Sequence, residues 1–110
     1  MRESRVEGAL RKKVTAAGGL CLKFVSPGQR GVPDRLCIMP HGVVAFVELK
    51  APGKHTDPEG LQTYWRGALQ RLGIVCVEIN TIDAAGAFAE AMAAEAAQRA
   101  ESPLWWPPKN

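Results

Sequence analysis

The fold is decided by residues 31–50, which read GVPDRLCIMPHGVVAFVELK. Two strand-like runs, Asp34 to Met39 and Val43 to Lys50, lie on either side of the short segment Pro40-His41-Gly42. Apolar, β-branched runs that are separated by a short glycine-containing turn are typical of a β-hairpin. The sequence therefore predicts two adjacent antiparallel strands at the centre of the chain.

The register of this hairpin brings two carboxylates together. With a three-residue loop, Met39 pairs with Val43, and Asp34 then lies opposite Glu48. Directly opposed carboxylates are roughly 5 Å apart and repel each other, unless a divalent cation lies between them. Because side chains alternate along a strand, Lys50 shares a face with Glu48 and adds a positive charge. A slip of one residue would turn Glu48 to the other face, so the prediction depends on the loop length.

Each of these three residues also has a simpler interpretation. Asp34 alone would be an ordinary turn residue, and Glu48 with Lys50 would be a solvated strand end. The three together, at this spacing and after a Gly-x-Pro loop, favour a site that binds a cation.

The segments outside the hairpin alternate between helical and extended patterns. The predicted elements are a helix from about Ser4 to Ala17, a strand from Leu20 to Val25, a helix that starts at Asp57, a strand from Ile74 to Ile79 and an Ala-rich helix that Asp83 caps and that ends near Ala100. We expect the buried face of the second helix to consist of Leu61, Trp65, Leu69 and Leu72. The predicted order is α-β-β-β-α-β-α, which is typical of an α/β domain.

Length and composition exclude several classes of protein. A chain of 110 residues with 46% hydrophobic residues fits one small globular domain. It has no apolar run near the ~20 residues that a membrane span requires, and no signal segment follows the charged start, so we expect a cytoplasmic protein. Three cysteines without a C-x-x-C pair predict reduced thiols rather than a disulfide framework.

The charge is unevenly distributed along the chain. The formal net charge is +3, with an excess of positive charge in residues 1–71 and of negative charge in residues 72–110. A basic front on a small protein favours a polyanionic partner such as nucleic acid.

The hairpin residues resemble a known family. Gly31-Val32-Pro33-Asp34 followed by Glu48-Leu49-Lys50 resembles the motif of the PD-(D/E)xK nucleases. The Gly-Val-Pro-Asp form, together with Glu7 in the preceding helix and Gln62 in the following one, resembles the VRR-NUC branch of that superfamily. The resemblance covers roughly residues 3–82.

This resemblance implies a fold and a domain division. The implied fold is an α/β, restriction-endonuclease-like αβββαβ core, in which helices flank a mixed sheet, with the Ala-rich helix added at the C-terminal end. We expect residues 1–101 to form a single VRR-NUC nuclease domain, and residues 102–110 to form a Pro- and Trp-rich tail.

The resemblance also implies a ligand set for a metal ion. Asp34, Glu48 and the main-chain carbonyl of Leu49 would bind Mg²⁺, with Mn²⁺ as a second metal that supports activity. Glu7 would bind the metal directly or through water. The sequence offers another interpretation of Glu7, because Ser4-x-x-Glu7 also fits a helix capping box.

Two further residues receive catalytic roles from the resemblance. Lys50 would stabilise charge on the phosphate or orient the attacking water, and Gln62 would position the substrate or Lys50. Cations near the predicted site are candidates for contacts with DNA phosphates, and these are Arg30, Lys54, Lys23 and Arg66.

The function that the resemblance implies is structure-selective cleavage of DNA. Small free-standing members resemble homodimeric Holliday-junction resolvases of phages and bacteria, so we expect a homodimer that acts on four-way junctions in a bacterial or phage-infected cell. The alternatives are a nicking or flap-type nuclease, a catalytically silent DNA-binding module of the same fold, and an interaction protein that docks through Trp105-Trp106.

Overall fold

A computed structural model describes residues 4–55, 57, 59–100 and 104–106. Within these residues, the regular elements are three helices, four strands and one short 3-10 turn. In chain order they are α1 (Arg5–Ala16), β1 (Leu20–Lys23), β2 (Arg35–Met39), the turn Pro40–Gly42, β3 (Val43–Leu49), α2 (Leu61–Arg71), β4 (Val75–Ile79) and α3 (Ile82–Gln98). The predicted element order and α/β class are confirmed.

The four strands form one mixed sheet in the order β1-β2-β3-β4. The first three strands are antiparallel, and β4 runs parallel to β3. Met39 pairs with Val43, which confirms the predicted hairpin register. The tight turn requires positive φ angles at two residues, 65° at His41 and 76° at Gly42. Gly42 adopts such an angle without strain.

The hydrophobic core lies between this sheet and the pair α1 and α3. The helix α1 faces this core with apolar residues spaced four apart, since Val6, Leu10 and Val14 are all buried. The opposing side chains come from one face of the sheet and from α3, and they include Cys37, Val47, Ala89 and Met92. The three cysteines are free thiols.

The predicted start of α2 is wrong. The helix begins at Leu61 with Gly60 as its N-cap residue. The carboxylate of Asp57 accepts a hydrogen bond from the N–H of Glu59, at 3.0 Å, so Asp57 stabilises a turn before the helix. Pro58, which the prediction placed in the first turn, lies outside the described residues.

The predicted buried face of α2 is also wrong. No residue of α2 is fully buried, and Leu61 and Leu72 are 54% and 79% exposed. Trp65 and Leu69 are half-buried, and polar contacts to the sheet come from Gln62, Arg66 and Gln70. An apolar face was therefore inferred where the helix carries polar contacts.

The last helix begins and ends slightly differently from the prediction. Its N-cap is Thr81, whose hydroxyl accepts a hydrogen bond from the N–H of Ala84 at 3.0 Å, and Asp83 lies in the first turn. The helix ends at Gln98. Among the described residues, none of the helices has the length and apolar character that crossing a membrane would require.

Candidate active site

The site lies where β2 begins and β3 ends. Asp34 comes directly before β2, and its Oδ1 accepts a hydrogen bond from the N–H of Leu49 at 3.0 Å. Its main-chain carbonyl accepts another from the N–H of Phe24 at 2.9 Å. Asp34 is therefore held between β1 and β3, while its side chain stays 41% exposed and able to bind a ligand.

Glu48 is the most buried acidic side chain at this site. Its side chain is 9% exposed, and its Oε1 accepts a hydrogen bond from Nε2 of Gln62. Its Oε2 is buried and has no hydrogen-bond partner in the described part of the chain. Burial, and secondly the charge of Asp34, raise the pKa of Glu48 to about 7. A bound cation would satisfy the orphan oxygen and remove this repulsion.

The side chain of Gln62 connects Lys50 with Glu48. Nζ of Lys50 donates to Oε1 of Gln62 at 2.6 Å and lies 4.0 Å from Oε1 of Glu48. The amide orientation follows from chemistry, because an ammonium only donates and a carboxylate only accepts. The structure thus brings together the predicted residues Glu48, Lys50 and Gln62.

Glu7 is connected to the site through Arg35. The hydroxyl of Ser4 accepts a hydrogen bond from the N–H of Glu7 at 3.0 Å, so Ser4 caps α1 as the motif predicts. The carboxylate of Glu7 forms an ion pair with Nη2 of Arg35. Nη1 of Arg35 donates to the main-chain carbonyl of Asp34 at 2.8 Å.

Arg35 also lies at the site, although the sequence motif does not include it. Its side chain is 10% exposed. The sequence signal that identifies it is its position on β2, two residues from the buried Cys37, on the face that packs against α1.

A second acidic residue lies beside Glu48 and was also missed. Glu78 pairs with Glu48 in the register of β3 and β4. Its carboxylate lies 3.1 Å from Nδ1 of His55 and 3.8 Å from Nη2 of Arg66. The available signal was its place as the one charged residue in the apolar β4 run. The guanidinium of Arg66, a candidate for a phosphate contact, is therefore directed at Glu78.

The other predicted phosphate contacts are exposed cations on anchored segments. The loop that carries Arg30 is fixed by Nε1 of Trp65, which donates to the Arg30 carbonyl at 2.8 Å. The loop after β3 is fixed by Asn80, whose amide donates to the carbonyl of Lys54 at 2.9 Å. Lys23 ends β1, and all three cations are exposed to solvent.

The donors at the site suit a hard cation. In the parts of the chain that the structure describes, no three His, Cys, Asp or Glu side chains form a group that could hold a metal by themselves. What the structure brings together is two carboxylates, those of Asp34 and Glu48, beside the peptide of Leu49. Oxygen donors that leave positions open for water fit Mg²⁺ or Mn²⁺ better than softer metals.

Comparisons with known proteins show similarity to nucleases. No family model matches the sequence. Over 66 residues the chain is 48% identical to "Putative nuclease p44" of Acyrthosiphon pisum secondary endosymbiont phage 1, a match that covers 60% of this chain and 71% of that protein. The fold is similar to a solved VRR_NUC domain with a TM-score of 0.71 and 29% sequence identity, over 78% of this chain and 91% of the other.

Proposed function

The chain belongs to the VRR-NUC family of nucleases, and we propose that it is a metal-dependent endonuclease that hydrolyses phosphodiester bonds in branched DNA. The observation that carries this proposal is the buried Oε2 of Glu48, which has no partner among the described residues and lies beside Asp34 and Lys50. A site that keeps such a group ionised needs a cation, and a nuclease uses one.

The proposed metal ligands are Asp34, Glu48 and the carbonyl of Leu49, with Mg²⁺ as the physiological ion and Mn²⁺ as a substitute. These residues would hold a divalent cation, which would supply positive charge against the reacting phosphate and would acidify a water molecule there. The protein holds Asp34 in place through the N–H of Leu49, so one carboxylate is positioned before any metal binds.

Lys50 and Gln62 act as a unit in this proposal. The ammonium of Lys50 stabilises negative charge on the reacting phosphate or orients the attacking water. The amide of Gln62 holds that ammonium by a 2.6 Å hydrogen bond and binds Glu48 with its other end. One side chain from α2 thus sets the distance between the cationic and the anionic groups of the site.

The proposed substrate is DNA with a defined shape rather than a defined sequence. Arg30, Lys54 and Lys23 are exposed and suited to phosphate contacts, which are independent of sequence. A homodimer of such domains would place two sites about a twofold axis, which matches a four-way junction.

A cleavage panel tests this proposal. Purified protein with Mg²⁺ or Mn²⁺ is incubated with a four-way junction, a flap, a linear duplex and single strands, beside Asp34→Ala and Glu48→Ala. Glu95→Ala is the matched control, since Glu95 is an exposed acidic residue on α3.

The proposal predicts paired, symmetric cuts confined to the junction, abolished in both site variants and retained in the control. Cutting of flaps or duplex by the wild type would replace the junction activity with a nuclease of looser selectivity. Binding without any cleavage would indicate a silent DNA-binding module and would contradict the proposal.

A further inference from the structure

We propose that Arg35 is a positioning residue of the nuclease site, which holds Asp34 and Glu7 in place from behind the sheet and thereby sets the affinity of the site for a divalent cation. This inference rests on the proposed function, because Asp34 is one of the proposed metal ligands.

The contacts of Arg35 join two separate elements. Nη1 donates to the Asp34 carbonyl at 2.8 Å and lies 3.6 Å from Oδ2 of the same residue. Nη2 binds the carboxylate of Glu7 in the first turn of α1. One rigid guanidinium therefore ties the turn that presents Asp34 to the start of a helix.

Burial makes this connection costly to break. The Arg35 side chain is 10% exposed, and a guanidinium stays charged at any physiological pH. A buried charge needs an opposite charge, and Glu7 supplies it. Removing Glu7 leaves the buried guanidinium with Asp34 as its remaining acidic neighbour, and removing Arg35 leaves the half-buried Glu7 carboxylate without this counter-charge. Either change is destabilising, whereas neutralising both together avoids that penalty.

The position of Arg35 in the sheet excludes a direct role with DNA. On β2 the residues at positions 35, 37 and 39 are buried on the face that packs against α1 and α3. The exposed cations Arg30 and Lys54 lie in loops and are free to meet phosphates. Arg35 is enclosed, so its effect on the reaction passes through Asp34 and Glu7.

The expected effect is on metal binding rather than on folding alone. Residues that orient metal ligands typically contribute tenfold to hundredfold to metal affinity. Without Arg35, the carbonyl of Asp34 keeps only its bond from the N–H of Phe24, and the Glu7 carboxylate loses its fixed position. The turn that presents Asp34 then has to be ordered when the cation binds.

The test is a calorimetric titration of DNA-free protein with Mn²⁺ alone, combined with thermal melting of each variant. The variants are Arg35→Gln, Arg35→Lys, Glu7→Gln and the double variant Glu7→Gln/Arg35→Gln. Arg99→Gln is the matched control, because Arg99 forms an exposed i,i+4 ion pair with Glu95 on α3. The double variant removes both charges, so it keeps the test valid if a single variant fails to fold.

We expect Arg35→Gln and the double variant to bind Mn²⁺ about tenfold or more weakly than the wild type, even where they are fully folded. Arg35→Lys should recover part of the affinity, since an ammonium keeps the charge but cannot hold both acceptors with one fork. Arg99→Gln should bind like the wild type.

Unchanged Mn²⁺ affinity in folded Arg35→Gln, or in the double variant, would overturn the positioning role and reduce Arg35 to a stabilising residue, while leaving the proposed function intact. A wild type that neither binds Mn²⁺ nor cleaves DNA would overturn both.

Discussion

Glu48 is buried beside a second carboxylate, and its pKa is raised to about 7 by burial first and by the charge of Asp34 second. A cation binds the ionised form, so below about pH 7 it must displace a proton. We expect the affinity for Mn²⁺ to fall as the pH falls, by up to about tenfold per pH unit below pH 7.

Titrations with Mn²⁺ between about pH 5.5 and pH 8 measure this effect. The same series on Glu48→Gln, which has no proton to displace, is the control and should be both weak and flat above pH 5.5. An affinity of the wild type that does not change over this range would contradict the environment described for Glu48.

The same raised pKa predicts how stability depends on pH without metal. In the unfolded chain Glu48 titrates near its ordinary value of 4.5, and in the folded protein near 7. The folded state therefore binds the proton more tightly, and this contribution to the free energy of unfolding is complete below about pH 4.5 and is lost as the pH rises through 7. Above pH 7, the folded protein must bury an ionised carboxylate.

Glu48→Gln should consequently raise the melting temperature of the metal-free protein at pH 8 and have little effect near pH 4.5. Thermal melts in the presence of a chelator measure the difference, with Glu95→Gln as an exposed control. An equal change in melting temperature at both pH values would show that the ionised carboxylate of Glu48 does not destabilise the folded protein.

At the scale of single residues, the sequence predicted contacts between residues of one hairpin. It missed contacts between residues of elements that are distant in the sequence. The pairing of Asp34 with Glu48 follows from one loop length in a hairpin. The contact between Glu7 and Arg35 joins residues 28 positions apart, and no local pattern specifies it. Glu78 depends likewise on the register of a parallel pair, which no turn fixes.

Among the elements, α2 contributes to the site more than to the core. It contacts the sheet through Gln62, Arg66 and Gln70, and none of its residues is fully buried. A helix of this kind can lose a polar contact without unfolding the domain, because the core lies on the other face of the sheet.

We therefore expect Gln62→Ala to lower the rate of DNA cleavage by about tenfold or more while the melting temperature stays close to that of the wild type. The reason is that Lys50 loses the acceptor that holds its ammonium. Single-turnover cleavage and thermal melting of the same preparation measure the two effects.

Gln70→Ala is a matched control for this prediction. It removes the same kind of amide from the same helix, where Gln70 donates to the carbonyl of Cys76 at 2.9 Å. Cleavage should continue in this variant. Equal loss of activity in both variants would mean that α2 as a whole, rather than the bridge from Lys50 to Glu48, supports the reaction.

The elements themselves were predictable to different degrees. The strands and α1 follow simple alternation or four-residue spacing, and the structure confirms them to within a few residues at their ends. The buried face of α2 was misassigned because Leu61 and Leu72 fit the helical spacing of core residues, whereas both are exposed. Its start was misassigned because Asp57 also stabilises isolated turns.

At the scale of the whole molecule, several large apolar side chains are exposed to solvent. Leu20 and Leu22 on the edge strand β1 are 57% and 44% exposed, and Trp105 and Trp106 in the tail are 87% and 67% exposed. Apolar surface of this kind is common where proteins meet partners. It is compatible with the homodimer in the proposed function.

We expect light scattering at micromolar concentration to give twice the mass of the 11.9 kDa chain. The physical reason is that two equivalent sites are needed to cut a junction symmetrically. A monomer at every concentration tested would contradict the junction-resolving mechanism, although it would leave the nuclease activity itself possible.

The fold class could be predicted from the sequence because the hairpin, the helices around it and the family resemblance indicate the same α/β core. The number of copies and the shape of the substrate could not, because both depend on surfaces whose partners lie outside the chain. Composition indicates only an uneven charge, with the basic residues in the first two thirds.

The measurement that tests the nuclease function most directly is single-turnover cleavage of a four-way DNA junction by the wild type and by Glu48→Gln, each with Mg²⁺ and with a chelator. The burial and position of Glu48 predict cleavage by the wild type with Mg²⁺ only, and a loss of at least about a thousandfold in the variant. Cleavage by Glu48→Gln at the rate of the wild type, or cleavage that continues in the chelator, would contradict the proposed metal site.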